Sequence, residues 1–340
     1  MKKYLLMLSL LPSFISAETA TIAFVGDVNF TGRIGTAIDK YGTTWPFEKV
    51  KDVLAEADYR VANLESPAGV GGTEFPDKRV LFRANPQHLD ALTYGGFNLV
   101  SLANNHALDY GPEVLEQTKS ELAKRGILYT GVRENNIKPY EPTIVNIKGF
   151  KVAFLGYCNA CPWGFAPTNK KPGVNVGLSK MIKAQVKKLI NDHNPDFIVA
   201  MPHWGTEYGG VDKNQEFTNR ALVESGVDLV IGAHPHVLQK VSHTILGNGE
   251  KSVTAYSLGN FIFPMRWKTS MDSGILMVML TRHGGDRDIT TMLVPVELDT
   301  NRPELVDPES NRFKRDQYIY NNGYDFTSKR HWPEMVPWNE

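Results

Sequence analysis

Short apolar runs that end abruptly in polar side chains recur along the chain, and the sharpest is residues 97–111, FNLVSLANNHALDYG. There Leu99, Val100, Ser101 and Leu102 lead directly into Asn104, Asn105, His106 and Asp109. A run bounded in this way predicts a buried parallel strand delivering side chains to its C-terminal edge. That edge is where open α/β sheets place their chemistry. Residues 21–29 (TIAFVGDVN), 197–204 (FIVAMPHW) and 227–236 (VDLVIGAHPH) share the pattern. Each closes a Val-, Ile- or Phe-rich run with Asp, Asn or His, side chains that bind divalent metals of intermediate hardness. Four strand ends of one type point to one site.

Helical spacing covers residues 32–39, 46–57, 86–94, 112–123, 178–190 and 214–225, with Pro86 and Pro112 suited to first turns. Strands are predicted at 59–64, ending in Glu65, and at 127–130, 143–147, 151–157, 196–201 and 227–231. Lys148-Gly149 joins two of them as a hairpin. From residue 252 onward the pattern becomes strand after strand, at 253–257, 274–280 and 289–298. Residues 159–175, rich in Pro, Gly, Lys and Trp, read as a mobile loop or lid. Alternating helix and strand followed by antiparallel strands predicts an α/β fold of layered sheets with helices outside. No linker cuts the chain, so residues 18–300 are expected to form one domain. Residues 301–340 form a polar extension packing on it through Tyr318, Tyr320, Tyr324 and Trp332.

Composition narrows the class. With 42% hydrophobic and 10% aromatic residues the chain has the makings of a globular core. Its 37 basic and 37 acidic residues argue against a dominating attraction to nucleic acid or anionic lipid. The first 17 residues, MKKYLLMLSLLPSFISA, combine Lys2 and Lys3 with a short apolar stretch and a small-residue end at Ser16 and Ala17. This is the layout of a secretory signal peptide, too short for the ~20 apolar residues of a spanning helix. Cleavage after Ala17 and location in the periplasm or cell envelope are expected. Cys158 and Cys161, the only cysteines, are spaced C-x-x-C. A redox motif and half of a metal site are the functional readings. Export, and the Pro162-Trp163-Gly164 that follows in place of a helix start, favour a local structural disulfide.

The spaced motifs are GDVN (26–29), NLE (63–65), ANNHALDYG (103–111), HWGTEY (203–208), GAHPH (232–236) and YSLGNFIF (256–263). Together and in this order they resemble the bacterial capsule synthesis protein family, CapA or PgsA, of the poly-γ-glutamate machinery. The resemblance runs from about residue 22 to 263. That family in turn resembles the calcineurin-like metallophosphoesterases, and this implies a two-sheet α/β sandwich with outer helices. It also implies a dinuclear divalent-metal site (Mn, Zn or Fe) held by Asp27, Glu65, Asn105, His203, His234 and His236. His106 would then serve as general acid or as partner of a substrate anion. Three positions depart from the phosphoesterase pattern: Asn29 stands where His is usual, Glu65 replaces a bridging Asp, and Ala107 follows His106 where an acid is usual.

The residue chemistry agrees independently. Carboxylates and an amide oxygen suit harder ions, imidazoles also suit Zn and Fe, and a carboxylate such as Glu65 can be shared between two ions. Taken singly, each motif has an ordinary structural explanation: a core histidine, a helix cap at Asp27, turn asparagines. Their coincidence at strand ends is what argues for a site. Asp109 is expected either to orient His106 or to make a helix N-terminal contact. Arg33 and Arg83 are expected either to bind anions or to form surface salt bridges. Trp204, Glu207, Tyr208, Tyr256 and Asn260 are expected to shape the pocket, with Phe261 and Phe263 as core. The resemblance implies an exported factor acting in poly-γ-glutamate capsule assembly, with an anionic polymer and capsule synthesis membrane proteins as partners. The alternatives are a periplasmic metal-dependent hydrolase of phosphoesters or amides and a non-catalytic polymer-binding subunit.

Overall fold

The structure, a computed structural model, describes residues 18–137, 140–246, 249–264 and 270–322. The expected leader (1–17) and the anchors Tyr324 and Trp332 lie outside the described residues. The first half of the chain comprises β1 (Glu18–Val28), α1 (Gly32–Tyr41), α2 (Lys51–Ala55), β2 (Tyr59–Leu64), a 3-10 turn (Pro86–Leu89), α3 (Asp90–Tyr94), β3 (Leu99–Ser101) and α4 (Gly111–Lys124). There follow β4 (Leu128–Thr130), β5 (Val132–Arg133), β6 (Thr143–Ile147), β7 (Phe150–Cys158), β8 (Gly173–Val174), α5 (Ser179–His193), β9 (Phe197–His203) and α6 (Lys213–Val223). The remainder is β10 (Leu229–Ile231), β11 (Val241–Ile245), β12 (Lys251–Ala255), β13 (Asn260–Ile262), β14 (Asp272–His283), β15 (Asp286–Glu297), β16 (Glu304–Leu305) and α7 (Asn311–Asn322).

Among the described residues, one sheet runs in the order β16-β15-β14-β1-β2-β3-β4, with β13 beside the end of β1. A second runs β11-β12-β10-β9-β7-β6, and β5 and β8 pair as a separate two-stranded sheet. Neighbours among β1 to β4 are parallel, as are those among β7, β9, β10 and β12. Their C-terminal ends therefore open on common edges. Side chains of a strand alternate between faces, and this sorts the apolar residues into three layers. Ile22 and Phe24 of β1 meet Phe154, Val199 and Met201 of the second sheet in the central core. Ala23 and Val25 face the other way, into a core with Ile34 and Ile38 of α1 and Leu115 and Leu122 of α4. Leu155 and Ala200 pack outward against Ile182, Val186 and Leu189 of α5 and Leu222 of α6. The result is the layered-sheet fold that the pattern predicts, in the form of the two-sheet α/β sandwich with outer helices that the resemblance implies.

Several local expectations are corrected. Of residues 46–57 only Lys51–Ala55 is helical, because Phe47 is drawn inward to Phe97 and Phe261, with ring centroids 5.1 and 6.1 Å away. The segment 159–175 is pinned rather than lid-like. A Cys158–Cys161 disulfide closes its base, Phe165 and Val174 are fully buried, and Phe165 meets Phe75 edge-on at 4.8 Å. The expected structural disulfide is thus present. Within the polar extension, α7 docks through Ile319 and Tyr320, while Arg312 reaches Asp272 at 2.9 Å and Glu297 at 2.6 Å. Tyr320 bonds Thr291 at 2.7 Å, whereas Tyr318 is exposed. No helix among the described residues is long and apolar enough to cross a membrane.

Two glycines let strand ends meet. A Cβ at Gly26 would lie 1.9 Å from the Gly259 carbonyl oxygen, and one at Gly232 would lie 2.0 Å from that of Tyr256. Both obstacles are backbone. Gly26→Ala and Gly232→Ala should each destabilise the fold by at least the ~1–3 kcal/mol typical of overpacking, read from urea unfolding midpoints. Midpoints equal to wild type would contradict this packing.

Candidate metal centre

Each side chain of the site stands at or just beyond the C-terminal end of a parallel strand. Asp27 is the penultimate residue of β1, Glu65 follows β2, and Asn104 to Asp109 follow β3. His203 ends β9, and His234 and His236 follow β10. Register sets Asp27 beside Asn63 on one side and Asn260 on the other. Across the sandwich, His203 pairs with Ala233. His234 and His236 have φ of 97° and 59°, left-handed conformations that cost roughly 1–3 kcal/mol each in a non-glycine residue. The turn around Pro235 so formed aims both rings inward.

Glu65 is the centre of the arrangement. It is fully buried, and neither carboxyl oxygen has a hydrogen-bond partner. Its Oε1 lies 3.6 Å from His203 Nε2, 3.8 Å from His236 Nε2 and 4.0 Å from His106 Nε2. Burial, then repulsion from Asp27 and Glu207, pushes the Glu65 carboxyl well above the usual carboxylate range, against the pull of Lys78. Burial and the neighbouring imidazoles hold His203 well below the usual histidine value and His234 down to about 3. These two rings are therefore neutral and carry lone pairs. Asp27, Glu65 and His203, and likewise Glu65, His234 and His236, offer ligand atoms within 4.8 Å of one another. Donors bound at ~2.0–2.3 Å to one ion can lie no farther apart than about 4.6 Å, so small adjustments suffice. A buried carboxyl without partners, ringed by imidazoles, suits a divalent cation, and Glu65 is common to both groups.

Amide side chains lock the acids and imidazoles in place. Asn63 Nδ2 donates to Asp27 Oδ1 at 2.8 Å. His236 Nδ1 lies 3.1 Å from Asp27 Oδ2 and 2.9 Å from Asn260 Oδ1. Both are acceptors, so Nδ1 carries the proton and Nε2 faces Glu65. Asn104 donates to the Leu64 carbonyl at 2.8 Å and accepts from the His106 backbone at 3.1 Å. Asn105 Oδ1 is 3.0 Å from His203 Nε2. His106 Nδ1 is 2.6 Å from Asp109 Oδ2, which places the proton on Nδ1 and a lone pair on Nε2. Service as an acid then needs a second proton, which burial opposes and Asp109 favours. Asn29, at the position where the resemblance leads one to expect His, accepts from Thr31 N at 2.9 Å and donates to the Glu65 carbonyl at 3.2 Å. Its polar atoms are committed to the backbone and to Thr31.

The structure brings Asp27, Glu65, Asn105, His106, Asp109, His203, His234 and His236 together. It does not bring the expected anion binders there. Arg33 is exposed and donates to Asn301 at 3.4 Å. Arg83 is exposed, stacks 4.0 Å over Tyr110 and donates to the Gly71 carbonyl. Trp204 is core rather than pocket wall: its Nε1 donates to the Tyr256 carbonyl at 2.9 Å and its ring stacks on Tyr256. Asn260 is buried against His236. Glu207 and Tyr208 lie exposed near the centre, with the Tyr208 ring 5.9 Å from that of His236. Phe263, expected as plain core, has its ring 4.6 Å from His236, and Phe82 lies 4.2 Å from His106. Sequence reasoning missed Lys78, whose ammonium donates to Asp109 Oδ1 and the Asn105 carbonyl. Nothing in its local pattern marks it.

Residues 21–265 match the family model described as bacterial capsule synthesis protein PGA_cap. The capsule biosynthesis protein CapA of Bacillus anthracis is 31% identical over 85% of this chain and 70% of its own length. The PGA biosynthesis protein CapA of Bacillus subtilis (strain 168) is 28% identical over 87% of this chain and 76% of its own. Among solved structures, a 5'-nucleotidase precursor from Thermus thermophilus aligns with a TM-score of 0.48 at 15% identity, covering 84% of this chain and 56% of that one. The chain belongs to the bacterial capsule synthesis protein family, PGA_cap.

Proposed function

We propose that this chain is an exported protein of poly-γ-glutamate capsule biosynthesis whose divalent-metal site engages the anionic polymer, working alongside capsule synthesis membrane proteins. Family membership and the printed functions of the two CapA relatives support the capsule role. The single observation that carries the metal site is Glu65, buried without a hydrogen-bond partner and within 4.0 Å of three imidazole nitrogens. Asp27, Glu65, Asn105, His203, His234 and His236 would hold the metal, as one ion or as two sharing Glu65. Such a metal supplies Lewis-acid polarisation of a bound oxygen, and a polymer carrying a carboxylate on every unit offers oxygen ligands. The leader pattern and the Cys158–Cys161 disulfide, of a kind favoured in oxidising compartments, support export. The His106–Asp109 contact beside Glu65 favours a second reading, a metal-dependent hydrolase. In it His106 holds and moves a proton at Nε2 while Asp109 fixes the ring.

Elemental analysis should find Mn, Zn or Fe in protein purified without chelators, and Glu65→Gln or His203→Ala should remove most of it while circular dichroism stays unchanged. Burial and the neighbouring Asp27 carboxylate push the Glu65 carboxyl upward, toward its neutral form, and a metal ligand must be deprotonated, so loading should release protons. Affinity should therefore rise with pH, with proton release visible by calorimetry in buffers of different ionisation enthalpy. A protein that takes up no metal on reconstitution would defeat the reading.

Poly-γ-glutamate should bind the metal-loaded protein more tightly than the chelated protein, and a neutral polyamide should bind neither. Equal binding with and without chelator would separate the polymer from the metal site. Release of phosphate or amine products, abolished by His106→Ala, would select the hydrolase reading.

Protein recovered from the envelope should begin at residue 18 by intact mass, and denatured protein should show two free thiols only after reduction. An intact Met1, or two thiols before reduction, would count against export.

A further inference from the structure

The stretch from Gly69 to Ala84 carries no helix or strand. Irregular segments longer than about 12–15 residues inside a compact domain are uncommon and usually functional. This one is fastened to the turn after β3, and the fastenings converge on Asp109. The backbone N–H of Phe75 donates to the Asp109 carbonyl at 2.8 Å. That of Phe82 donates to Oδ2 at 2.7 Å, and the Lys78 ammonium donates to Oδ1. The same ammonium donates to the backbone carbonyl of Asn105. Asp109 is fully buried, and the Lys78 side chain is 14% exposed.

Lys78 Nζ also lies 3.0 Å from His106 Nδ1. A carboxylate can only accept, so the His106 proton on Nδ1 serves Asp109 and the ring offers the ammonium no acceptor there. The donors of Lys78 thus go to Asp109 and Asn105, at the two ends of one turn. The inner side of that turn presents Asn105 Oδ1 to His203 and His106 Nε2 to Glu65.

We propose that Lys78 is a positioning residue of the metal centre. By bonding Asp109 Oδ1 and the Asn105 carbonyl together, it fixes the turn that holds Asn105 and His106 against Glu65 and His203. The proposal rests on the metal-bearing reading of the site. Groups that orient metal ligands from outside are commonly worth about 10–100-fold in metal affinity.

The test is Zn²⁺ calorimetry together with the visible spectrum of Co²⁺-saturated protein. Lys78→Met should weaken Zn²⁺ binding about tenfold or more and shift the Co²⁺ bands. Asp109→Asn should act in the same direction, and the double variant should be no weaker than the weaker single, since both act through one clasp. Arg79→Gln, at the exposed next residue, should leave affinity and spectrum at wild type. A merely structural Lys78 would lower the unfolding midpoint and leave the saturated spectrum untouched; that result overturns the proposal, as does wild-type affinity in Lys78→Met. Should Lys78→Met not fold, Lys78→Gln, which keeps a donor for the Asn105 carbonyl, decides by the same two readings. Wild-type protein that binds neither ion would remove the metal-bearing reading itself, a failure distinct from that of Lys78.

Discussion

A carboxyl group buried beyond the reach of water with neither oxygen hydrogen-bonded is costly, at about 1–3 kcal/mol even when neutral, and Glu65 is in that position. The surrounding fold sustains the cost because it is anchored elsewhere. The central core between the sheets and the two outer helix layers bury large aliphatic and aromatic side chains that take no part in the site. Polar strand ends can then be arranged for chemistry rather than for stability. Placing Glu65 one residue past β2, between Asp27 on the neighbouring strand and the histidines of the facing sheet, requires parallel strands ending at a common edge.

Holding that edge rigid falls to asparagine. Asn63 bonds Asp27 at one flank, Asn260 bonds His236 at the other, and Asn104 ties the turn after β3 to the end of β2. An amide offers both donor and acceptor without charge, so it can satisfy a carboxylate or an imidazole without adding to the repulsion between Asp27 and Glu65. A lysine or arginine at these places would have cancelled the negative charge that a metal site needs. Lys78 is consistent with this division: its charge is spent on Asp109, at the far side of His106 from Glu65.

The strand-end acids and histidines were legible because each is a local event, a continuous apolar run that stops at a polar residue. The alternation of side chains along a strand shows why Trp204 was misplaced. It follows His203 directly, so its side chain turns to the opposite face, where it packs on Tyr256. Arg33 sits on α1 beside the buried Ile34 and belongs to the solvent face of that helix. Lys78 was invisible for a different reason. Its partners lie 27 to 31 residues away, and its loop has no periodicity from which a direction could be read. The helix α7 escaped because its apolar contribution is small: Ile319 and Tyr320 dock it, and much of the remaining hold comes from Arg312 reaching three acids.

The departure at Asn29 gains physical meaning from its neighbours. A histidine there would add an imidazole on the Asp27 side, where His203 is now the sole imidazole grouped with Asp27 and Glu65; the other group has two, His234 and His236. Asn29 instead bonds Thr31, which leads into α1, and the carbonyl of Glu65 itself. It thus fixes the backbone of the shared carboxylate rather than donating to an ion. The two donor groups are therefore chemically unequal, one richer in imidazole and the other in carboxylate and amide oxygen. Softer and harder ions prefer different donor sets, so the substitution bears on which cation the Asp27 side would suit while leaving Glu65, the residue common to both groups, in place.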